Sequence, residues 1–170
     1  QNHIVTHNTA IEAWCGWVFL NCYEDSRVVA TAPTMAQLGD VLWPEYAKWH
    51  AKMPQQLQDQ WNISGSHIRH VERDKLWFAV ARTSNKPANL QGFHGAHIFI
   101  QCDEASGVPN NVFEVIEGAL SEAGEDERVA KLLLAGNPNF TQGELFDAFQ
   151  KNRSLYHRMT VTGDKHLLTE

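Results

Sequence analysis

At 170 residues, with 43 % hydrophobic and 20 % charged residues and a formal net charge of −6, the chain is about one domain long and can bury a core without disulfides or metals. No apolar run approaches the ~18 residues needed to span a bilayer, and the acidic balance excludes a general basic field for strong non-specific nucleic-acid binding. Three cysteines without CxxC spacing exclude a disulfide framework, and the first residues lack a secretory leader pattern, so reduced thiols in the cytosol are expected.

From Thr9, the apolar residues Ala10, Ala13, Trp14, Trp17 and Val18 recur at helical spacing until the polar run Asn21 to Ser26. RVVATA, residues 27–32, reads as a buried strand closed by Pro33, which cannot donate to a ladder. Thr34 is a natural N-cap for the helix that follows, with Met35, Leu38, Leu42 and Tyr46 near one face and Pro44 expected to kink or split it, leaving two pieces. Residues His67 to Val71 and Lys75 to Ala81 flank a polar ERD and predict a hairpin. HIFIQC, residues 97–102, is a second buried strand; Asn110 to Leu120 is helical, Lys131 to Ala135 a strand, and Gln142 to Gln150 helical again. Alternation of this kind implies an α/β fold with a mainly parallel sheet flanked by helices. Trp14, Trp17 and Trp77 fall on expected buried faces, whereas Trp43, Trp49 and Trp61 are not placed by pattern alone.

The most informative chemistry lies in IFIQCDEASG. Two adjacent carboxylates, Asp103 and Glu104, end a buried strand at the carboxyl edge where open α/β sheets bind ligands. This is the Walker B arrangement. Asp103 would hold Mg²⁺, a hard cation that prefers oxygen ligands and keeps much of its hydration. Glu104 would orient and activate the water that attacks a γ-phosphate. Read in isolation, such a pair is as well explained by a strand meeting its solvated loop.

In context, the segment ASGVPNNVFEVIEGAL and the later LLLAGNPNFTQGELFDAF resemble the ATPase domain of the phage terminase large subunit. RVVATAPTMAQLGDVLWPE and LQGFHG extend the resemblance, which covers roughly residues Thr9 to Tyr156. It implies a P-loop NTPase-like fold of the ASCE type, using ATP and Mg²⁺ to drive viral DNA into a capsid. The implied partners are DNA, a portal protein, the small terminase subunit and further copies of the chain in a ring on the portal, in the cytoplasm of the bacterial host. The resemblance also implies that Gly136 and Asn137, in the GNP segment, contact nucleotide, with the Asn137 amide sensing the γ-phosphate. A tight strand-to-helix turn explains the same residues without nucleotide.

That family requires a phosphate loop, GxxxxGK[ST], whose backbone N–H groups cradle phosphates while the hydroxyl reaches Mg²⁺. Only its final residue, Thr9, is present, with His7 and Asn8 where Gly and Lys belong. The fold is therefore expected to be incomplete, lacking the phosphate-loop strand and leaving RVVATA, HIFIQC or KLLLA with an unpaired edge. One explanation is a degenerate ATPase. A sharper one is that NHIVTHNT resembles the C-terminal splice junction of an intein. There Asn8 would cyclise and cleave its own peptide bond, His7 would assist as an acid, and the Thr9 hydroxyl would carry the transferred chain. Splicing would restore GKT. The expected organisation is an intein remnant over 1–8, a partial ATPase domain over 9–155, and over 156–170 the start of a connection to a nuclease domain, with a strand from Tyr156 to Val161.

Arg82, or Arg73 in the hairpin turn, could act as an arginine finger in a neighbouring subunit, ordinary solvated arginines being the plainer reading. Two other functions compete with the motor ATPase: a helicase-like translocase, since TAPT followed by a DE strand suits both, and a degenerate, non-catalytic P-loop interaction module.

Overall fold

The computed structural model describes residues 8–121 and 128–160. Six strands form one sheet in the order β2-β3-β4-β1-β5-β6, where β1 is Arg27–Ala32, β2 Trp61–Ser64, β3 His67–His70, β4 Phe78–Thr83, β5 His97–Cys102 and β6 Val129–Leu134. The four strands from β4 to β6 run parallel, and β2 and β3 add an antiparallel ribbon at one edge. The helices are α1 (Asn8–Cys22), α2 (Trp43–His50), α3 (Gln55–Gln58), α4 (Asn110–Ser121) and α5 (Glu144–Phe149).

Strand period explains the layering, because successive side chains of a strand point to opposite faces. Val28, Ala30 and Ala32 of β1 join Ala79 and Ala81 of β4 and Phe99 of β5 in a core with α1 and α2. Val29, Val80, Ile98, Ile100 and Cys102 form a second core with Val112, Phe113 and Ile116 of α4 on the opposite face. Small alanines on the first face let α1 and α2, rich in Trp and Tyr, pack closely against the sheet.

The helix after β1 starts with a capping box. Thr34 Oγ1 accepts from the Gln37 N–H at 3.3 Å, and Gln37 Oε1 accepts from the Thr34 N–H at 3.1 Å. Its next turn, Gln37–Leu42, is π-helical and runs straight into α2, with helical backbone at Leu42 and Trp43, so Pro44 does not split the helix; a π-helical stretch lies just ahead of it instead.

Several expectations are corrected. Trp14 is 45 % exposed and Val18 is exposed too, as is Met35. α1 is apolar nearly all round, so spacing alone cannot orient it. The face that turns inward carries Glu12, Ala13, Gly16, Trp17 and Leu20, while Trp14 packs edge-on against Trp49 at the surface. Trp43 and Trp61 are buried. The hairpin forms as β3 and β4, but β2 joins it as a third strand that the sequence pattern did not indicate. Residues 156–160 form no strand. β1 and β5 are paired on both sides; of the three strands expected to border a gap, KLLLA alone, in β6, lies at the end of the sheet. His7 and residue 161 lie outside the described residues.

Candidate functional site

The parallel strands end together, and β5 delivers Asp103 and Glu104 to that edge. Their turn is clamped from both sides. The Asp103 N–H donates to Thr31 O of β1 at 2.9 Å, and the Ala105 N–H donates to Ala135 O just past β6 at 2.8 Å. Glu104 adopts a left-handed conformation, φ 49° and ψ 43°, which a non-glycine residue holds at a cost of about 1 kcal/mol or more. Its N–H is satisfied by Asp103 Oδ1 at 2.8 Å. A strained backbone fixed by neighbouring strands is a device for aiming a side chain, and here the two carboxylates are what it aims.

The segment after β6 closes on this turn. Gly136 has φ 155°, and a Cβ there would stand 3.1 Å from Ala105 N and 3.4 Å from Glu104 Cα. Only glycine permits that approach, which brings Asn137 beside the carboxylates. A cavity of about 240 Å³ results, lined by Thr9, Gln37, Asp103, Glu104, Gly136 and Asn137. Thr9 is the second residue of α1, so the cavity opens at a helix N-terminus, where N–H groups and the helix dipole favour anions. Five residues singled out from sequence, Thr9, Asp103, Glu104, Gly136 and Asn137, therefore converge.

Burial raises the Asp103 pKa; the Glu104 N–H bond works against that rise and the Glu104 charge adds to it. The oxygen donors present, a half-buried carboxylate and a hydroxyl, suit Mg²⁺, which takes few protein ligands and retains waters. No group of three or more His, Cys, Asp or Glu among the described residues forms a dedicated metal cage. Nor does any Lys or Arg among the described residues line the cavity, so the cation that a phosphate chain needs is not supplied by them.

Sequence reasoning passed over Glu12. One turn beyond Thr9, it is 1 % exposed, and neither carboxyl oxygen has a hydrogen-bond partner among the described residues. Burial first, then the charges of Asp103 and Glu104, push its pKa up to about 8. The signal was there to read: Glu12 is the one charged residue in NTAIEAWCGWVFLNC. Beneath the cavity, the Tyr46 hydroxyl donates to Gln101 Oε1 at 2.6 Å and Gln101 Nε2 donates to Glu12 O at 2.6 Å, tying α2, β5 and α1 together. Gly16 makes room for that tyrosine, whose hydroxyl lies 1.7 Å from where a Cβ would be.

Other candidates stand apart from the cavity. Arg82 sits at the end of β4, its Nη1 donating to Ala81 O at 2.9 Å and its guanidinium over Phe93. Arg73 pairs with Glu24 and Asp25. Asn8 is the first residue of α1, and His7 precedes the described residues.

No family model matches the chain. It is 27 % identical over 151 residues to a protein of Enterobacteria phage P7 described as a probable terminase, large subunit, a match covering 85 % of this chain and 28 % of that one. The chain thus spans little more than a quarter of that relative's length. Among solved structures, the large terminase of bacteriophage HK97 superposes with a TM-score of 0.61 at 15 % identity, over 85 % of this chain and 30 % of that one. A large terminase from a thermophilic bacteriophage gives 0.58 at 14 % identity, over 88 % and 37 %. The ATPase domain of the Thermus phage P74-26 large terminase gives 0.56 at 14 % identity, over 81 % and 58 %. The α/β fold, a mainly parallel sheet flanked by helices, is the one those structures share.

Proposed function

We propose that this chain is part of the ATP-hydrolysing motor domain of a phage terminase large subunit, the enzyme that drives viral DNA into the capsid. The observation that carries the reading is the convergence of Asp103 and Glu104, on a left-handed turn at the end of β5, with Thr9, Gly136 and Asn137 in one cavity. The similarity to the phage P7 protein supports it.

In this reading Asp103 and the Thr9 hydroxyl would hold Mg²⁺, which would supply positive charge to offset that of the phosphates. Glu104 takes a proton from the attacking water and aligns it, since a carboxylate beside the γ-phosphate is a suitable general base. The Asn137 amide would sense the γ-phosphate, with Gly136 keeping its segment close to Glu104. The phosphate-binding lysine comes from residues ahead of Thr9 in a chain where Gly-Lys precedes it. Arg82 acting in a neighbouring subunit's site, a ring of copies on a portal, and the small terminase subunit as partner belong to the same proposal, as does the host cytoplasm as its compartment.

Residues 1–8 we read as the C-terminal end of an intein, with His7 and Asn8 as junction residues and Thr9 as the acceptor. An upstream reading frame that ends in GxxxxGK followed by intein sequence supports this; a frame that runs into His7 with no phosphate loop removes it.

The catalytic assignment is tested in a longer chain in which residues 9–170 follow a strand and a GxxxxGK loop. Glu104→Gln should lower Mg²⁺-dependent ATP turnover by about 10² or more, the usual scale of a lost general base, and leave nucleotide binding in place. Asp103→Ala should weaken Mg²⁺-nucleotide binding as well. Full turnover by the Glu104 variant would move the base elsewhere.

A further inference from the structure

The cavity at Asp103 is walled by elements far apart in the sequence. Thr9 comes from α1, Gln37 and Val41 from the π-helical turn ahead of α2, Asp103 and Glu104 from the turn after β5, and Gly136 and Asn137 from the segment after β6. Backbone locks the last pair to the carboxylate turn, through the Ala105 N–H on Ala135 O at 2.8 Å. For α1 and the π-helical turn, a polar link to β5 runs through one side chain, Gln101.

Gln101 lies two residues before Asp103, and the period of the strand turns it, like Phe99, toward α1 and α2. It is fully buried. A primary amide in a core costs free energy unless both of its ends are bonded, and here both are. Oε1 accepts from the Tyr46 hydroxyl at 2.6 Å, and Nε2 donates to Glu12 O at 2.6 Å. Tyr46, fully buried as well, accepts at its own carbonyl from Trp17 Nε1 at 3.0 Å, so α1 and α2 are tied to each other as well as to β5.

Leu at 101 with Phe at 46 would fill much the same space with no side-chain polar group to satisfy, and a paired replacement of that kind is close to neutral for stability. Cohesion therefore does not require the network. What apolar packing lacks is direction: hydrogen bonds fix distance and angle, and a satisfied buried network selects one arrangement of the elements it joins. The elements joined here carry the cavity walls. Thr9 lies one turn before Glu12 on α1, and Tyr46 lies one turn after the π-helical stretch that bears Gln37 and Val41. Such π-helical turns are rare and frequent at functional sites.

We propose that Gln101 is a positioning residue of the ATPase site: through Glu12 O and the Tyr46 hydroxyl it sets α1 and the π-helical turn at a fixed height against the Asp103–Glu104 turn. The assignment rests on the motor reading above, in which Thr9 and Asp103 serve one Mg²⁺ and must keep their spacing. Gln101 does not itself line the cavity; it acts through the residues that do.

The test compares Gln101→Leu, Tyr46→Phe and the two combined. Each single change strands a buried partner and should lower the urea midpoint, whereas the double change removes both side-chain polar groups and should bring the midpoint back toward the parent's. If the network served stability alone, activity would recover with the midpoint. Positioning predicts that it does not. In the longer chain that carries a GxxxxGK loop, the double variant should lose about 10- to 100-fold in kcat, with KM for ATP within about threefold of the parent's, the scale that a misplacement of about 1 Å produces. In the 170-residue chain, amides of the first two turns of α1 and of residues 37–42 should exchange about tenfold faster or more, with α4 unchanged, because only the untied elements open. Parent-like kcat, or parent-like exchange in both segments, would overturn the proposal. Should the double variant stay destabilised, Tyr46→Phe alone decides: it cuts the arm to α2 and spares the arm to α1, so faster exchange should appear at residues 37–42 and not at the start of α1, and the reverse would overturn the proposal. An extended parent chain that folds, binds nucleotide and does not turn over removes the motor reading, while the exchange comparison still decides whether Gln101 fixes these walls.

Discussion

Glu12 shows how much one residue can decide. Its carboxyl is enclosed by α1 and the sheet, and burial backed by Asp103 and Glu104 puts its pKa near 8 against an ordinary 4.5. At neutral pH the folded chain keeps it mostly protonated, whereas an unfolded chain ionises it. The native state therefore binds the extra proton, and stability is fullest below about pH 4.5 and falls as pH rises through 8. At about 1.4 kcal/mol per pKa unit the change amounts to a few kcal/mol. Thermal melts of Glu12→Gln should accordingly lose the decline in Tm between pH 5 and 8 that the parent chain displays. Parallel pH profiles for the two chains would mean that Glu12 is solvated or paired after all. At this scale Asp103 and Glu104 were legible because an apolar run ending in two carboxylates is a local pattern. Glu12 was not, because its effect comes from what α1 packs against. The carboxyl it contributes near the cavity arises only once α1 crosses β5.

Between elements, α1 and α2 meet through an absent side chain. Gly16 lies against Tyr46, and an added Cβ would fall 1.7 Å from the tyrosine hydroxyl and 2.6 Å from Cζ. In an isolated helix Gly→Ala gains about 1 kcal/mol. Here the forced displacement of a buried tyrosine and its bond to Gln101 should outweigh that gain, and overpacking typically costs about 1–3 kcal/mol. Urea denaturation should therefore find Gly16→Ala less stable than the parent. The loss should shrink in a Tyr46→Phe background, where the nearest clashing atom is gone. A more stable Gly16→Ala chain would show that α1 and α2 can part at no cost. Strands β1 and β5 and helix α4 could be read directly because runs such as RVVATA and HIFIQC are apolar, bounded and buried on both faces. β2 could not: WNIS is short and half polar, and it is a strand because β3 offers it an edge. The inward face of α1 escaped for a related reason, since a helix apolar on nearly every side is oriented by its neighbours and not by its own spacing.

At the scale of the whole sheet, the strand order places the carboxylates one strand from an edge that no described residue pairs. β5 is interior, β6 is the last strand in the sheet, and Leu132, Leu133 and Leu134 are only half-buried. A parallel strand laid along that edge and turning into α1 would bring its connecting loop to Thr9 and the cavity, which is where a phosphate loop is needed. The parallel α/β architecture was legible from the alternation of elements. The position of the open edge was not, since RVVATA, HIFIQC and KLLLA look alike as sequences and differ only in how many neighbours each acquires. In the proposed motor, Thr9, Asp103 and Glu104 form one half of an ATPase site whose other half is a loop ending in Gly-Lys. Steady-state ATP hydrolysis by two chains that differ only ahead of Thr9 decides whether they do. The 170-residue chain, with His7 and Asn8 in those places, should show no turnover. The chain in which a strand and a GxxxxGK loop precede Thr9 should hydrolyse ATP in the presence of Mg²⁺. Hydrolysis by the 170-residue chain that Glu104→Gln abolishes, or none by the extended chain when it is folded and binds nucleotide, would show that these residues are not half of such a site.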